Sequence, residues 1–330
     1  MNLKWYLHRL SKMNTGELLK RFREELGIRW AQLKYRNPEH WPYRRFAEKT
    51  AGLVLHRLPS SPFEYEWTRH PIYNLRFNLT KPIDWHFSEQ GTRWPASHYA
   101  KIDYRPGNPY GDVRINWELN RLQFLPAMAL THEHLARTIL IDWLTKNPYL
   151  HGPGYLASME VALRWIPIYW AACLLKQPLD KSLNQSLCGL AVASGKFIES
   201  RFSTHSSAGN HLIVEAVGLC WIGRALENTD IGRRWVHTSR GILAKEAIRQ
   251  INPDGTNKEQ SFWYLGFVLD AFLSYFLIED RSRICAEIWE RVEKMLEFLN
   301  DVTQDDGMFP DYGDREIGRA SCRERVCVGV

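Results

Sequence analysis

The stretch "ICAEIWERVEKMLEFL", Ile284 to Leu299, sets Ile284, Ile288, Val292, Leu296 and Leu299 three or four residues apart with Glu, Arg and Lys between them. Such spacing gathers the apolar side chains into one stripe on an α-helix. Leu135, Ile139 and Trp143 repeat the pattern upstream. Similar segments lie near 113–129, 132–146, 156–175, 183–199, 211–227, 233–250, 262–278 and 283–299, joined by short polar or Gly/Pro connections. Successive helices with short links and no strand alternation predict antiparallel helical hairpins. No repeat of about 34 or 40 residues accompanies them, which argues against a TPR or HEAT solenoid. The expected fold class is all-α, an incomplete (α/α) toroid over residues 111–316.

Residues 51–110 are rich in Pro, Trp, Tyr and Arg ("LPSSPFEYEW", "DYRPGNPYGD") and read as an irregular lead-in with a few short strands or helices. Residues 1–50 carry twelve Lys or Arg against five Glu, with Leu19, Phe22, Leu26, Trp30 and Leu33 at helical spacing. The simpler expectation is a helix that packs this stripe on the main domain and solvates its basic face. The alternative is peripheral contact with anionic lipid or polysaccharide. No nucleic-acid partner is expected.

The chain has 330 residues, of which 45% are hydrophobic and 24% charged, the balance of a globular protein. No apolar run reaches the length of about 18 residues that would suggest a membrane span. The first residues contain no uninterrupted apolar core of a secretory signal, so the chain as written reads as cytoplasmic. The tail "IGRASCRERVCVGV", 317–330, has neither helical nor strand period, and its codons can spell a common sequencing-adapter read. It is set aside as an artefact, which implies truncation near Glu316 and lowers the net charge from +6 to +4. The remaining Cys173, Cys188, Cys220 and Cys285 lack CxxC spacing and read as buried free thiols, without a disulfide framework or zinc site.

Four constellations could carry chemistry. In "SSAGNHLIVEAVGL" (206–219), Asn210 and His211 stand where a polar run becomes a helix. Free backbone N–H groups and the positive end of the helix dipole favour an anion there. An amide can hold a carboxylate and an imidazole can move a proton. The competing reading makes Asn210 an ordinary N-cap, with Ser207 as its rival, and His211 a solvent-facing first-turn residue. In "NPDGTNKEQSFWYLGFVLD" (252–270), Glu259, Gln260 and Ser261 precede an aromatic helix in which Tyr264 faces either a core or a cleft. "DGMFPDYGD" (306–314) is a loop dense in acid and glycine that ends on Asp314. In "SMEVALRWIPIYW", Glu160 and Arg164 are four apart and are expected to pair, with Arg164 as a carboxylate-binding alternative.

These blocks, together with "DVRINWELNRLQFL" (112–125) and "WLTKNPYLHGPGYLASMEVALRW" (143–165), resemble the heparinase II/III and related alginate lyase group of polysaccharide lyases, in the same order over about 200 residues. The resemblance implies an N-terminal (α/α) toroid, a C-terminal β-sandwich that is absent here, an anionic polysaccharide substrate, periplasmic export of relatives, and no cofactor or metal. It also implies β-elimination on a uronate, for which the enzyme neutralises the carboxylate, removes the C5 proton and protonates the departing oxygen. By resemblance Asn210 binds the carboxylate, His211 assists as base or donor, and Tyr264 acts as acid and, for some stereochemistries, as base. A phenol with a reference pKa near 10 needs cationic or hydrogen-bonding neighbours for that work, and Arg164 and His205 are the candidates. Glu160, Glu215, Gln260 and Asp314 complete the expected substrate-binding set. Many relatives carry Asn where this chain has Gly209 and His where it has Leu265. Two other readings remain at this stage. A toroid glycoside hydrolase would need two opposed carboxylates from Glu160, Glu215, Glu259 and Asp314. The other is a non-catalytic protein that binds an anionic glycan.

Overall fold

A computed structural model describes residues 15–47, 50, 52–60, 67–72, 75–204, 208–305, 307, 310, 312 and 313. Its helices are α1 (Thr15–Lys34), α2 (Val113–Asn120), α3 (Leu125–Thr131), α4 (Glu133–Lys146), α5 (Ser158–Leu174), α6 (Lys181–Glu199), α7 (Asn210–Ala225), α8 (Asp230–Gln250), α9 (Phe262–Ile278) and α10 (Ala286–Val302). A short antiparallel hairpin, β1 (His70–Ile72) with β2 (Leu75–Phe77), lies in the lead-in. The tail from 317, read above as an adapter sequence, is outside the described residues, as are residues 1–14.

The helices form two rows, an incomplete (α/α) toroid. Helices α3, α5, α7 and α9 pack side by side as the inner row, and α4, α6, α8 and α10 alternate with them outside. The inner helices run parallel. At one end Glu259, just before α9, bonds Asn210 at the start of α7. At the other, Trp221 and Arg224 of α7 donate to the carbonyls of Ser274 and Ile278 of α9. Helix α5 is equally close to α7, since a Cβ placed on Gly218 would lie 2.4 Å from Cβ of Ala162. Only a missing side chain permits this approach. The amino ends of α5, α7 and α9 therefore lie at one end of the molecule.

The helix starts follow ordinary capping chemistry in most places. Asp112, Asp180, Thr229 and Ser261 accept backbone N–H bonds at the starts of α2, α6, α8 and α9. Between α2 and α3 the expected continuous helix 113–129 is broken. Leu122 adopts φ 59°, and Pro126, at the start of α3, has no N–H to continue the preceding turn. In α10 the buried seam is Ile288, Val292, Met295 and Leu299, while Leu296 faces solvent.

The lead-in has almost no ladder of its own, so helix side chains satisfy its backbone. Asn116 and Asn120, both buried in α2, donate to the Trp85 carbonyl at 2.9 Å, and Asn116 donates also to Phe87 O at 3.0 Å. Trp85 itself donates to Asp142 of α4 at 2.8 Å.

Helix α1 departs from expectation. Its apolar stripe does not pack on the main domain but faces outward, while Glu17 and Ala31 on the opposite side are buried. Lys20 on that inner side donates to the Phe202 carbonyl and Thr204 Oγ1, each at 2.6 Å. The small Ala31 and this ammonium anchor let the polar face approach the body, where the bulky stripe would hold it away. Among the described residues no helix is long and apolar enough to cross a membrane.

Candidate functional site

Helix α7 begins without a side-chain cap of its own. Its N-cap is Gly209, and Asn210 is the first helical residue, so the N-cap reading of Asn210 does not hold. A remote carboxylate takes the cap's place. Glu259 accepts the Asn210 backbone N–H at 2.8 Å on Oε1 and the Asn210 side-chain Nδ2 at 2.6 Å on Oε2. Two donors spaced to match two carboxylate oxygens, at the positive end of a helix, form a carboxylate-binding fork. Gly209 leaves room for it, because a Cβ there would lie 2.7 Å from Glu259 Oε1.

A second layer holds the fork from behind. Gln250, at the end of α8, donates from Nε2 to the Gly209 carbonyl at 3.0 Å and to Glu246 Oε2 at 2.6 Å. Glu246 is buried and meets Arg249 at 3.3 Å. Sequence reasoning did not single out Glu246 or Gln250. Their spacing of four on a helix is the signal that marks them as one face. Beside the fork lies a cavity of about 390 Å³ between Phe202, Ala208 and Leu212 on one side and Ile242, Lys245 and Arg249 on the other. Its wall also carries Glu246, which pairs with Arg249, so Lys245 supplies the net positive charge that favours an anionic group.

His211 follows Asn210 and is exposed. Tyr264 lies in the first turn of α9, half-buried, its N–H donating to the capping Ser261 Oγ at 3.4 Å. The next residue, Leu265, is buried, so the position that is His in many relatives points into the core here. Gln260 is exposed at φ 51°, a left-handed conformation that costs a non-glycine residue about 1 kcal/mol. The loop after α10 comes back to this point. Tyr312 packs on Phe262 with ring centroids 6.0 Å apart, and Gly313 lies so close that a Cβ on it would come 2.5 Å from the Gln260 carbonyl oxygen. His205 and Asp314 lie outside the described residues.

Two expected partners are not partners. Glu160, at the start of α5, is buried and receives both its bonds from Arg121, Nε to Oε2 and Nη2 to Oε1, each 2.7 Å. Arg164 is also buried, but it donates to the Gly154 carbonyl at 3.2 Å and lies over the rings of Trp143 and Tyr155, 4.9 and 5.2 Å from their centroids. The i,i+4 pair fails because Arg121, from another hairpin, offers Glu160 a bidentate fork. Glu215 is buried in α7 and bonds the Ser203 N–H at 2.7 Å and the Ser203 hydroxyl at 2.8 Å. Burial pushes its carboxyl up to about 7, against the pull of Ser203's bonds and the Lys20 charge.

Among the described residues no group of three or more His, Cys, Asp or Glu side chains is disposed to hold a metal ion. The described thiols, Cys173, Cys188, Cys220 and Cys285, are free.

Residues 33–327 match the heparinase II/III N-terminus family, a stretch that runs into the tail outside the described residues. The chain is similar to a heparin-sulfate lyase of Pedobacter heparinus, 26% identical over 297 residues, which are 82% of this chain and 41% of that protein. It is also similar to a heparin-sulfate lyase of Bacteroides stercoris, 22% identical over 294 residues, 80% of this chain and 40% of that protein. The chain thus spans about two fifths of the length of these curated relatives. Among solved structures, heparan sulfate lyase HepC from Pedobacter heparinus aligns with a TM-score of 0.48 at 18% identity, over 81% of this chain and 44% of that one.

Proposed function

The chain belongs to the heparinase II/III family by its N-terminal region, and from that premise we propose that it carries the toroid half of a polysaccharide lyase that cleaves a uronate glycan by β-elimination. The observation that carries the reading is the fork at the start of α7, two donors already engaged with a carboxylate, that of Glu259. A uronate carboxylate presents the same two oxygens.

The proton at C5 of a uronate is weakly acidic, and it becomes removable when the adjacent carboxylate is neutralised and the developing enolate is stabilised. Both donors are engaged by Glu259 and Asn210 is buried, so a substrate carboxylate takes the fork by displacing the Glu259 carboxylate. Asn210 is therefore assigned to the carboxylate, with the exposed His211 beside it as base or second donor. Tyr264 is assigned the proton transfers, removal from C5 or delivery to the departing O4, leaving a 4,5-unsaturated uronate. Lys245, in the wall of the adjoining cavity beside the Glu246–Arg249 pair, suits an anionic group of such a chain. The relatives are named for heparin sulfate, so glucosamine–uronate chains are the first substrates to test and alginate the second.

The hydrolase alternative finds less support. Of its described carboxylates, Glu160 and Glu215 are buried and bonded to protein donors, which leaves Glu259 without an opposed partner.

The test is ultraviolet absorbance of the C4=C5 double bond on incubation with heparan sulfate and alginate, for this chain and for any longer form of the polypeptide. Tyr264→Phe is expected to lower turnover by a factor of about 100 or more, and Asn210→Ala similarly. Cleavage that yields saturated ends would remove the lyase assignment, and full activity in Tyr264→Phe would remove Tyr264 from the mechanism.

A further inference from the structure

Helix α1 is held to the body by one face, and among the described residues the opposite, apolar face is exposed. Lys20, Glu17 and Ala31 point inward. Leu19, Phe22, Leu26, Trp30 and Leu33 point outward, with exposures from 50% at Leu26 to 78% at Leu33, and Leu18 extends the same surface. Large side chains exposed in one continuous stripe mark a contact surface rather than scattered surface residues.

The charges around the stripe restrict what covers it. At about 3.6 residues per turn, Arg23 and Lys34 fall along one edge and Arg29 along the other. All three are exposed. Of the helix's acids, Glu17 and Glu24 belong to the inward side, and the exposed Glu25 is paired with Arg29 at 3.1 Å. Past the end of the helix an aromatic and cationic cluster continues the same character. Lys34 Nζ lies 4.4 Å from the Trp30 ring centroid and 5.3 Å from those of Tyr35 and Trp41. Arg45 lies 4.4 Å from the Trp41 centroid. Trp and Tyr with an apolar body and a polar tip favour a boundary between hydrocarbon and water.

We propose that α1 is a docking surface for an anionic lipid bilayer, lying in the plane of the interface with its Leu, Phe and Trp stripe among the acyl chains and Arg23, Arg29 and Lys34 on the phosphates. This occupant satisfies both features at once. A hydrated polyanionic glycan would satisfy the cations but offers no apolar surface to Leu19, Phe22, Leu26 and Leu33. A second copy would bury the stripe but would bring two sets of like-charged edges together. The helix of 20 residues is about 30 Å long. That gives it the extent of an interfacial anchor, with the basic flanks that distinguish such helices. The inference is independent of the lyase chemistry.

The experiment is co-sedimentation of the 330-residue chain with phosphatidylcholine vesicles, with and without about one third phosphatidylglycerol. Two variants are compared: Leu19→Gln with Phe22→Gln and Leu26→Gln, and Arg23→Gln with Arg29→Gln and Lys34→Gln. All six positions are exposed, and circular dichroism of each variant verifies the fold. The expected result is partition onto the anionic vesicles, weakened by salt, absent on neutral ones, and reduced about tenfold or more in each variant. Quenching by brominated lipid that disappears in Trp30→Phe would place the stripe in the bilayer. Failure to bind anionic vesicles, or full binding by the apolar variant, would overturn the proposal. A wild-type dimer that the apolar variant turns into a monomer would overturn it too, making the face a contact between copies. So would binding of heparin, but not vesicles, that depends on the stripe.

Discussion

At the scale of single residues the fork at Asn210 depends on the groups that hold it from behind. Gln250 satisfies the Gly209 carbonyl and the buried Glu246 together, so Gln250→Ala leaves two acceptors short of a donor. The expected loss is roughly 1–3 kcal/mol of stability, read from chemical denaturation. Glu215 makes a pH-dependent contribution. Its carboxyl titrates at about 7 in the fold against an ordinary value of 4.5, so the folded state holds the proton more tightly. That advantage is complete below the ordinary value, shrinks as pH rises, and is gone above about 7. It amounts to about 3 kcal/mol. Glu215→Gln is uncharged at every pH, so its stability relative to wild type should be greater at pH above about 8 than at pH near 5, as thermal melts across that range would read. A difference that does not change with pH would mean that Glu215 is ionised in the fold.

At the scale of elements, close approach decides what each helix tolerates. Gly218 of α7 faces Ala162 of α5, and a Cβ there would lie 2.7 Å from the Ala162 Cα. Gly218→Val therefore has to push two inner helices apart, at an expected cost of about 1–3 kcal/mol. Gly241 of α8 is exposed, with nothing within 4 Å of its place for a Cβ. Gly241→Ala should instead stabilise by roughly 0.5–1 kcal/mol, because the helix gains propensity without meeting a neighbour. Differential scanning calorimetry of the two variants should show melting temperatures moving in opposite directions. The helices themselves were legible, since burial of one face leaves a period that Ile288, Val292 and Leu299 repeat. The break at Leu122 was not, because the apolar pattern continues through "RLQFLPAMAL" and only Pro126 hints at a stop. The outward turn of the α1 stripe was not legible either. Amphipathic spacing tells which residues share a face and not whether that face turns inward. The same limit holds at the fork. Asn210 and Tyr264 stood out because polar sequence gives way to helix at each. Glu259 lies 49 positions from Asn210, and only parallel packing of α7 and α9 joins them.

At the scale of the whole molecule, buried polar contacts join the lead-in, α2 and the inner row. Asn116 and Asn120 bind the lead-in to α2, and Arg121 at the end of α2 binds Glu160 at the start of α5. Glu160 is 1% exposed, and Arg121 carries a second pairing with Glu118. Taking two charges out of water is costly, and their attraction offsets this only while both are present. Arg121→Met would leave a buried carboxylate without its cation, at an expected cost of roughly 3–5 kcal/mol. Replacing both, Arg121→Met with Glu160→Met, removes the buried charge together with its partner and should recover most of that loss. Because α2 is the support of the lead-in, the single variant should also weaken the region around Trp85 and Phe87 before the rest. Urea unfolding followed by hydrogen exchange would then show early opening there, with the double variant reverting to one cooperative transition. Equal stability of the single and double variants would mean that the pair does not couple α2 to the inner row, and that the aromatic contacts of the lead-in hold it alone.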